Sequence, residues 1–176
     1  MNMSLYLAAL LVIQGFSISL GVGSSTLAIL NFFSAIADGK IDDTERRMMG
    51  IVYVVLRLAM ILILFSTIAL FFVQYQVVGP HSFSTLQYGQ AFALSVLFIN
   101  AILMTAHVMP STFGPAIQAG NWFTLGFLET IEPLNIAHFS ILQFLLAYVT
   151  WIVLAIAVVN GAMALMKAKR YGFLKP

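Results

Sequence analysis

Cysteine is absent from the 176 residues, and charge is scarce: eight Lys or Arg and six Asp or Glu, 8% of the chain. The missing thiols exclude disulfides, thiolate nucleophiles, iron–sulfur clusters and Cys-ligated zinc. They say nothing about redox compartment. The missing charge excludes a water-soluble domain of this size, since such domains hold about 25% charged residues. Catalytic signatures are lacking too. There is no His-Glu-x-x-His motif and no carboxylate pair beside a nucleophile, so the chain reads as non-enzymatic. The basic clusters are small and carry no stacking module, which excludes a nucleic-acid partner.

What is present is apolar: 61% hydrophobic residues and a mean hydropathy of +1.01. A membrane crossing needs about 20 apolar residues at 1.5 Å each. Residues 5–34, 50–75, 86–108 and 136–166 meet that length. The first run has no basic flank before it and no Ala-x-Ala-type end, so it reads as a retained span. Residues 113–131 are ambiguous. They carry Gly114, Gly120, Gly126, Gln118 and Asn121, and suit a crossing, a re-entrant hairpin or an interfacial helix.

Charge placement decides the count. Lys40, Arg46 and Arg47 lie between the first two spans, and Lys167, Lys169, Arg170 and Lys175 follow the last. Only Arg57 falls outside these clusters. Basic segments stay on the cytoplasmic side. Two clusters on one side require a fifth crossing, through residues 113–131. The expectation is an all-α polytopic transmembrane bundle: one integral membrane domain over 1–176, five spans, N-terminus out and C-terminus in. A bacterial cytoplasmic membrane fits this bias. The lipid bilayer is then the first partner, and a homo-oligomer or larger membrane complex the next.

Depth sorts the polar residues. Asn31, Arg57, Asn100, Gln118 and Asn160 fall in the inner half of the membrane, one per span. Amides left unpaired in lipid are costly, so they should face the bundle interior. They either bond helices together, at about 0.6 kcal/mol each, or line an inward-open polar cavity. Arg57 lies about 10 Å deep by helical rise. It must snorkel, pair, or face such a cavity.

His107 closes the third span and is a candidate for proton transfer near neutral pH. His81, Glu129, Glu132 and His138 should meet at the outer face. Histidine with carboxylate can ligate a divalent metal, although an ordinary polar rim has the same composition. Haem on His81 and His138 is a further reading, with a shallow cage. Gly21, Gly23 and Ser24 fall mid-span in a run of small residues. They suit either close helix packing or a broken helix whose backbone binds an ion or solute.

Residues 38–45 resemble half of a calcium loop, but Ile36 offers no side-chain oxygen at the third position. The same residues suit a helix start, with Asp42 or Asp43 as cap and Glu45 in the first turn. Taken together, the residues suggest a small transporter or channel for an ion or small solute, using the inner polar cavity. The alternatives are an anchor or assembly subunit of a larger complex, or a metal or haem protein using the outer histidines.

Overall fold

Three helices begin on the same device, a short polar side chain paired with Glu or Gln three residues on. Asp42 accepts from the Glu45 amide at 2.6 Å, and Glu45 accepts from the Asp42 amide at 3.2 Å. Ser84 and Gln87 exchange the same two bonds at 3.2 and 2.9 Å, as do Ser140 and Gln143 at 3.3 and 2.8 Å. Each pair satisfies two of the amide donors that a helix N-terminus leaves open. The Asp42 cap agrees with the reading of residues 38–45 as a helix start.

A computed structural model describes residues 3–38, 42–79, 83–110, 112–134 and 139–170. They form five helices: α1 (Met3–Asp38), α2 (Asp43–Val78), α3 (Thr85–Thr105), α4 (Gly114–Ile131) and α5 (Ile141–Arg170). A single 3-10 turn, Glu132–Leu134, follows α4. The molecule is an all-helical transmembrane bundle, and α1, α2, α3 and α5 are each long and apolar enough to cross a membrane. The last helix starts at Ile141, later than the expected 136, because the Ser140 cap sets its boundary.

Helix α4 is the exception in composition and the centre in packing. At 18 residues it is about 27 Å long. It is too polar to stand in lipid alone, and ten of its residues are buried. α3, α1 and α5 enclose it. Asn100 near the end of α3 bonds Gly114 and Gln118 near the start of α4. Tyr148 and Trp151 of α5 bond Asn121 and Gly120. On the α1 side, Val22 lies against Gly126, and Gly15 lies against Glu129. These pairings run α4 antiparallel to α1, α3 and α5, from the end where α3 finishes to the end where α5 begins.

The consequence is a shared end. Ile29, Phe32 and Phe33 of α1 pack with Ala116 of α4 and with Val159 and Met163 of α5. Ser34 of α1 donates to Glu45 of α2 at 3.2 Å. Arg46, Arg47 and Lys167 therefore gather at one end of the bundle, here called the basic end. The opposite end holds the start of α1, the end of α2, the start of α3, the end of α4 and the start of α5.

Two turn residues adopt left-handed backbone. Gly79 closes α2 at φ 97°. His107 closes α3 at φ 56°, with its own amide on Met104 O and the Val108 amide on Leu103 O. That pair of bonds is the terminator that normally carries glycine. A side chain in this region costs about 1 kcal/mol. His107→Gly should raise the unfolding free energy by about that amount, and His107→Val should lower it. Unfolding in mixed detergent micelles reads both changes.

Candidate functional site

Helix α1 brings no break. It is helical through Gly21, Gly23 and Ser24, where the sequence allows either close helix packing or an unwound backbone site. Ser24 returns its hydroxyl to Leu20 O at 2.6 Å, and Thr26 bonds Val22 O at 2.8 Å, so the polar side chains are satisfied within the helix. Gly21 answers to a neighbour instead: a Cβ built there would overlap the ring of Trp122, which is fully buried. The second glycine-rich stretch, at the start of α4, is likewise continuous helix.

Of the five inner polar residues, the structure joins two. Asn100 Nδ2 donates to Gln118 Oε1 at 2.9 Å and to Gly114 O at 3.0 Å. Gln118 Nε2 reaches Met60 Sδ at 3.6 Å, tying in α2. Both amides are buried. Asn31 and Asn160 are half-buried, and among the described residues neither bonds that pair. Asn31 Nδ2 is buried without a partner there. Arg57 is exposed on α2, and among the described residues it neither bonds that pair nor makes an ion pair. The side chain of an arginine in α2 leans toward the helix N-terminus, which is the basic end. That direction suits snorkelling to the nearer headgroups. His107 is exposed and occupies the terminator of α3.

Of the four outer residues, His81 and His138 lie outside the described residues. Glu129 and Glu132 are one turn apart at the end of α4. No group of three or more potential metal ligands gathers among the described residues.

Geometry also shows a site that the depth ordering missed. A cavity of about 300 Å³ opens at the end opposite the basic one, between α1, α2 and α3. Its polar lining is Gln14, Gln74, Gln87, Gln90 and Glu132. Gln14 and Gln90 are 6% and 5% exposed, so both amides sit deep in the wall. Gln14 donates to Thr67 at 3.4 Å, and Gln74 and Gln87 bond each other at 2.5 and 3.2 Å. Gln90 Nε2 has no partner among the described residues, and nor does the buried Oε2 of Glu129. The signal was in the sequence as two glutamines inside apolar runs, at outer depth.

A larger cavity of about 630 Å³ lies between α4 and α5, walled by Phe123, Phe127, Phe144, Tyr148 and Trp151. Most of its polar groups are engaged: Tyr148 donates to Asn121 at 2.7 Å, Trp151 to Gly120 O at 2.9 Å and Thr124 to Gly120 O at 2.9 Å, while Gln143 caps α5 through Oε1. The rest of the wall is apolar. No family model, curated protein or solved structure matches this chain, so function has to be read from this chemistry.

Proposed function

We propose that this chain is a small membrane transporter or channel whose route is entered through the vestibule at the end opposite the basic one. The observation that carries the reading is an asymmetry. Polar side chains at one end line an open cavity, while toward the basic end Asn100 and Gln118 are buried and bonded to each other between α3 and α4, with Asn31 and Asn160 outside that pair. Between them stand Trp122, Ile63 and Leu97, all fully buried. An aqueous opening at one side and a closed hydrogen-bonded layer at the other describe a route in one closed state.

In this reading α4 is the fifth crossing, sheltered from lipid by its neighbours. The basic end faces the cytoplasm, so the N-terminus lies outside and the C-terminus inside. The vestibule then faces outward, which moves the solute site from the inner half of the membrane to the outer.

Flux across proteoliposomes tests the proposal. Asn100→Ala removes the donor that closes the layer and should raise efflux of small solutes at least several-fold over the unaltered protein. Equal, negligible flux through both proteins would sink the transport reading. Exposed Arg57 favours a second reading, a subunit whose partner supplies a carboxylate within the membrane. Co-purification in mild detergent that is lost on Arg57→Ala would favour that subunit role.

A further inference from the structure

We infer that one face of α2 is a binding site for a single anionic phospholipid, held by its phosphate between Arg46 and Arg57. The site stands apart from the transport reading and survives or fails without it.

Helical spacing sets the face. Arg46, Gly50, Tyr53 and Arg57 follow at steps of four, three and four residues, so they lie within about 60° of one another around α2. All four are exposed. Neither arginine side chain makes a hydrogen bond or ion pair among the described residues. Asp43 lies one turn before Arg46, on the side away from Arg57. Asp42 and Glu45 are taken up in the cap of α2.

Depth makes Arg57 unusual. It lies seven residues, about 10 Å, past Gly50, where the apolar run begins. A charge at that depth is costly unless it is paired or reaches polar groups. Its side chain leans back toward the basic end, which carries the guanidinium toward the level of Tyr53. A Cβ built on Gly50 meets nothing within 4 Å, so the helix leaves open space between the two arginines. A phosphate entering there has Arg57 on its membrane side and Arg46 on its water side. Guanidinium groups bind phosphate oxygens two at a time.

Past Arg57 the face turns apolar. Ile61, Leu64 and Ile68 continue the same spacing and are 64%, 37% and 60% exposed. Cations followed by an apolar track match the order of a phospholipid, headgroup first and acyl chains next. That order favours a lipid over a protein carboxylate. A partner helix would have to bring its own charge to the same depth, at a similar cost. Zwitterionic lipids carry phosphate too, but their headgroup cation is repelled by the two arginines, so the ligand is an anionic lipid.

Native mass spectrometry of the full chain tests this, in neutral-detergent micelles with equal phosphatidylglycerol and phosphatidylcholine of the same acyl chains. One phosphatidylglycerol per chain should be retained, at least about fivefold over phosphatidylcholine, the scale of one basic residue at a charged membrane surface. Arg57→Gln should remove that preference. Arg57 is exposed, so its replacement leaves the packing intact, and an unchanged elution volume checks this. Gly50→Leu keeps the charge and fills the gap, and should weaken retention several-fold. Arg47→Gln controls for charge alone. Residue 47 is turned about 100° from Arg46, so this change should cost less than Arg46→Gln.

The inference is overturned by equal retention of the two lipids, or by no effect of Arg57→Gln or Gly50→Leu. Equal losses for Arg46→Gln and Arg47→Gln would overturn it as well, since charge and not the face would then govern. So would displacement of the lipid by inorganic phosphate at equal concentration. A co-purifying protein that is lost on Arg57→Ala and excludes phosphatidylglycerol would give Arg57 to that partner and remove the lipid site.

Discussion

Gly21→Ala should destabilise the bundle by about 3 kcal/mol, although it adds one methyl group to a long apolar helix. The added Cβ would overlap the ring of Trp122. Overpacking a filled core costs about 1–3 kcal/mol, and several features place this case at the upper end. Trp122 is fully buried and belongs to the main core with Ile18, Leu97 and Leu125. Its ring therefore has no open space to turn into. Relief would need α1 and α4 to separate, which strips contacts along their whole seam. Gly23→Ala is the matched control. A Cβ at Gly23 meets nothing within 4 Å, and alanine is the better helix former by about 1 kcal/mol. Gly23→Ala should thus be neutral or stabilising. Trp122→Leu alone opens a void and costs about 3 kcal/mol. It also makes room for the alanine, so the double variant should cost less than the two single costs together by more than 1 kcal/mol. Unfolding in mixed micelles measures all four proteins. Equal costs for Gly21→Ala and Gly23→Ala would show that helix entropy, and not the ring, governs this stretch.

The same comparison shows how far the sequence could be read. Four spans followed from apolar run length alone, because a lipid solvent leaves few other solutions. Helix α4 did not. Its own composition is ambiguous, and only charge placement suggested that it crosses. Its partners show how its polar residues are housed, since α1, α3 and α5 cover the face that bears Gln118 and Asn121. The Asp42 cap was legible because Asp-x-x-Glu is a local pattern. Ser84-x-x-Gln87 and Ser140-x-x-Gln143 are the same pattern, and reading them would have set the starts of α3 and α5.

Site residues were harder, for a geometric reason. Depth along a span follows from counting, but the direction in which a side chain faces does not. Arg57 and Met60 are three residues apart on α2; one is exposed and the other touches Gln118. Depth grouped Arg57 with the amides, but residues 57 and 60 lie only about 60° apart around the helix, and a difference in facing that small, which counting does not give, leaves one exposed and the other buried. The roles of Gly21 and Asn121 likewise depend on long-range partners, Trp122 and Tyr148, which no local pattern contains.

Asn100 and Gln118 should be energetically coupled by about 1 kcal/mol, and each should cost about 2 kcal/mol when cut to alanine. Asn100 is 2% exposed and carries bonds to two sites on α4. Asn100→Ala leaves Gln118 Oε1 and Gly114 O without that donor, in a place where water cannot readily replace it. An orphaned buried polar group costs about 1–3 kcal/mol, and the void left by the shortened side chain adds to it. Interhelical bonds in membranes average only about 0.6 kcal/mol, because the unfolded chain in lipid also finds partners. The two bonds made by one amide therefore point to the middle of the range. Gln118→Ala removes one of those bonds and the contact to Met60 Sδ at 3.6 Å. A double-mutant cycle isolates the shared bond. A coupling near zero would mean that the amides are satisfied independently. The closed layer would then lose its physical basis, and a several-fold rise in flux on Asn100→Ala would need another cause. Replacing both residues by leucine gives the opposing case. It exchanges the polar lock for apolar packing, so stability should recover toward that of the unaltered protein while the route stays shut.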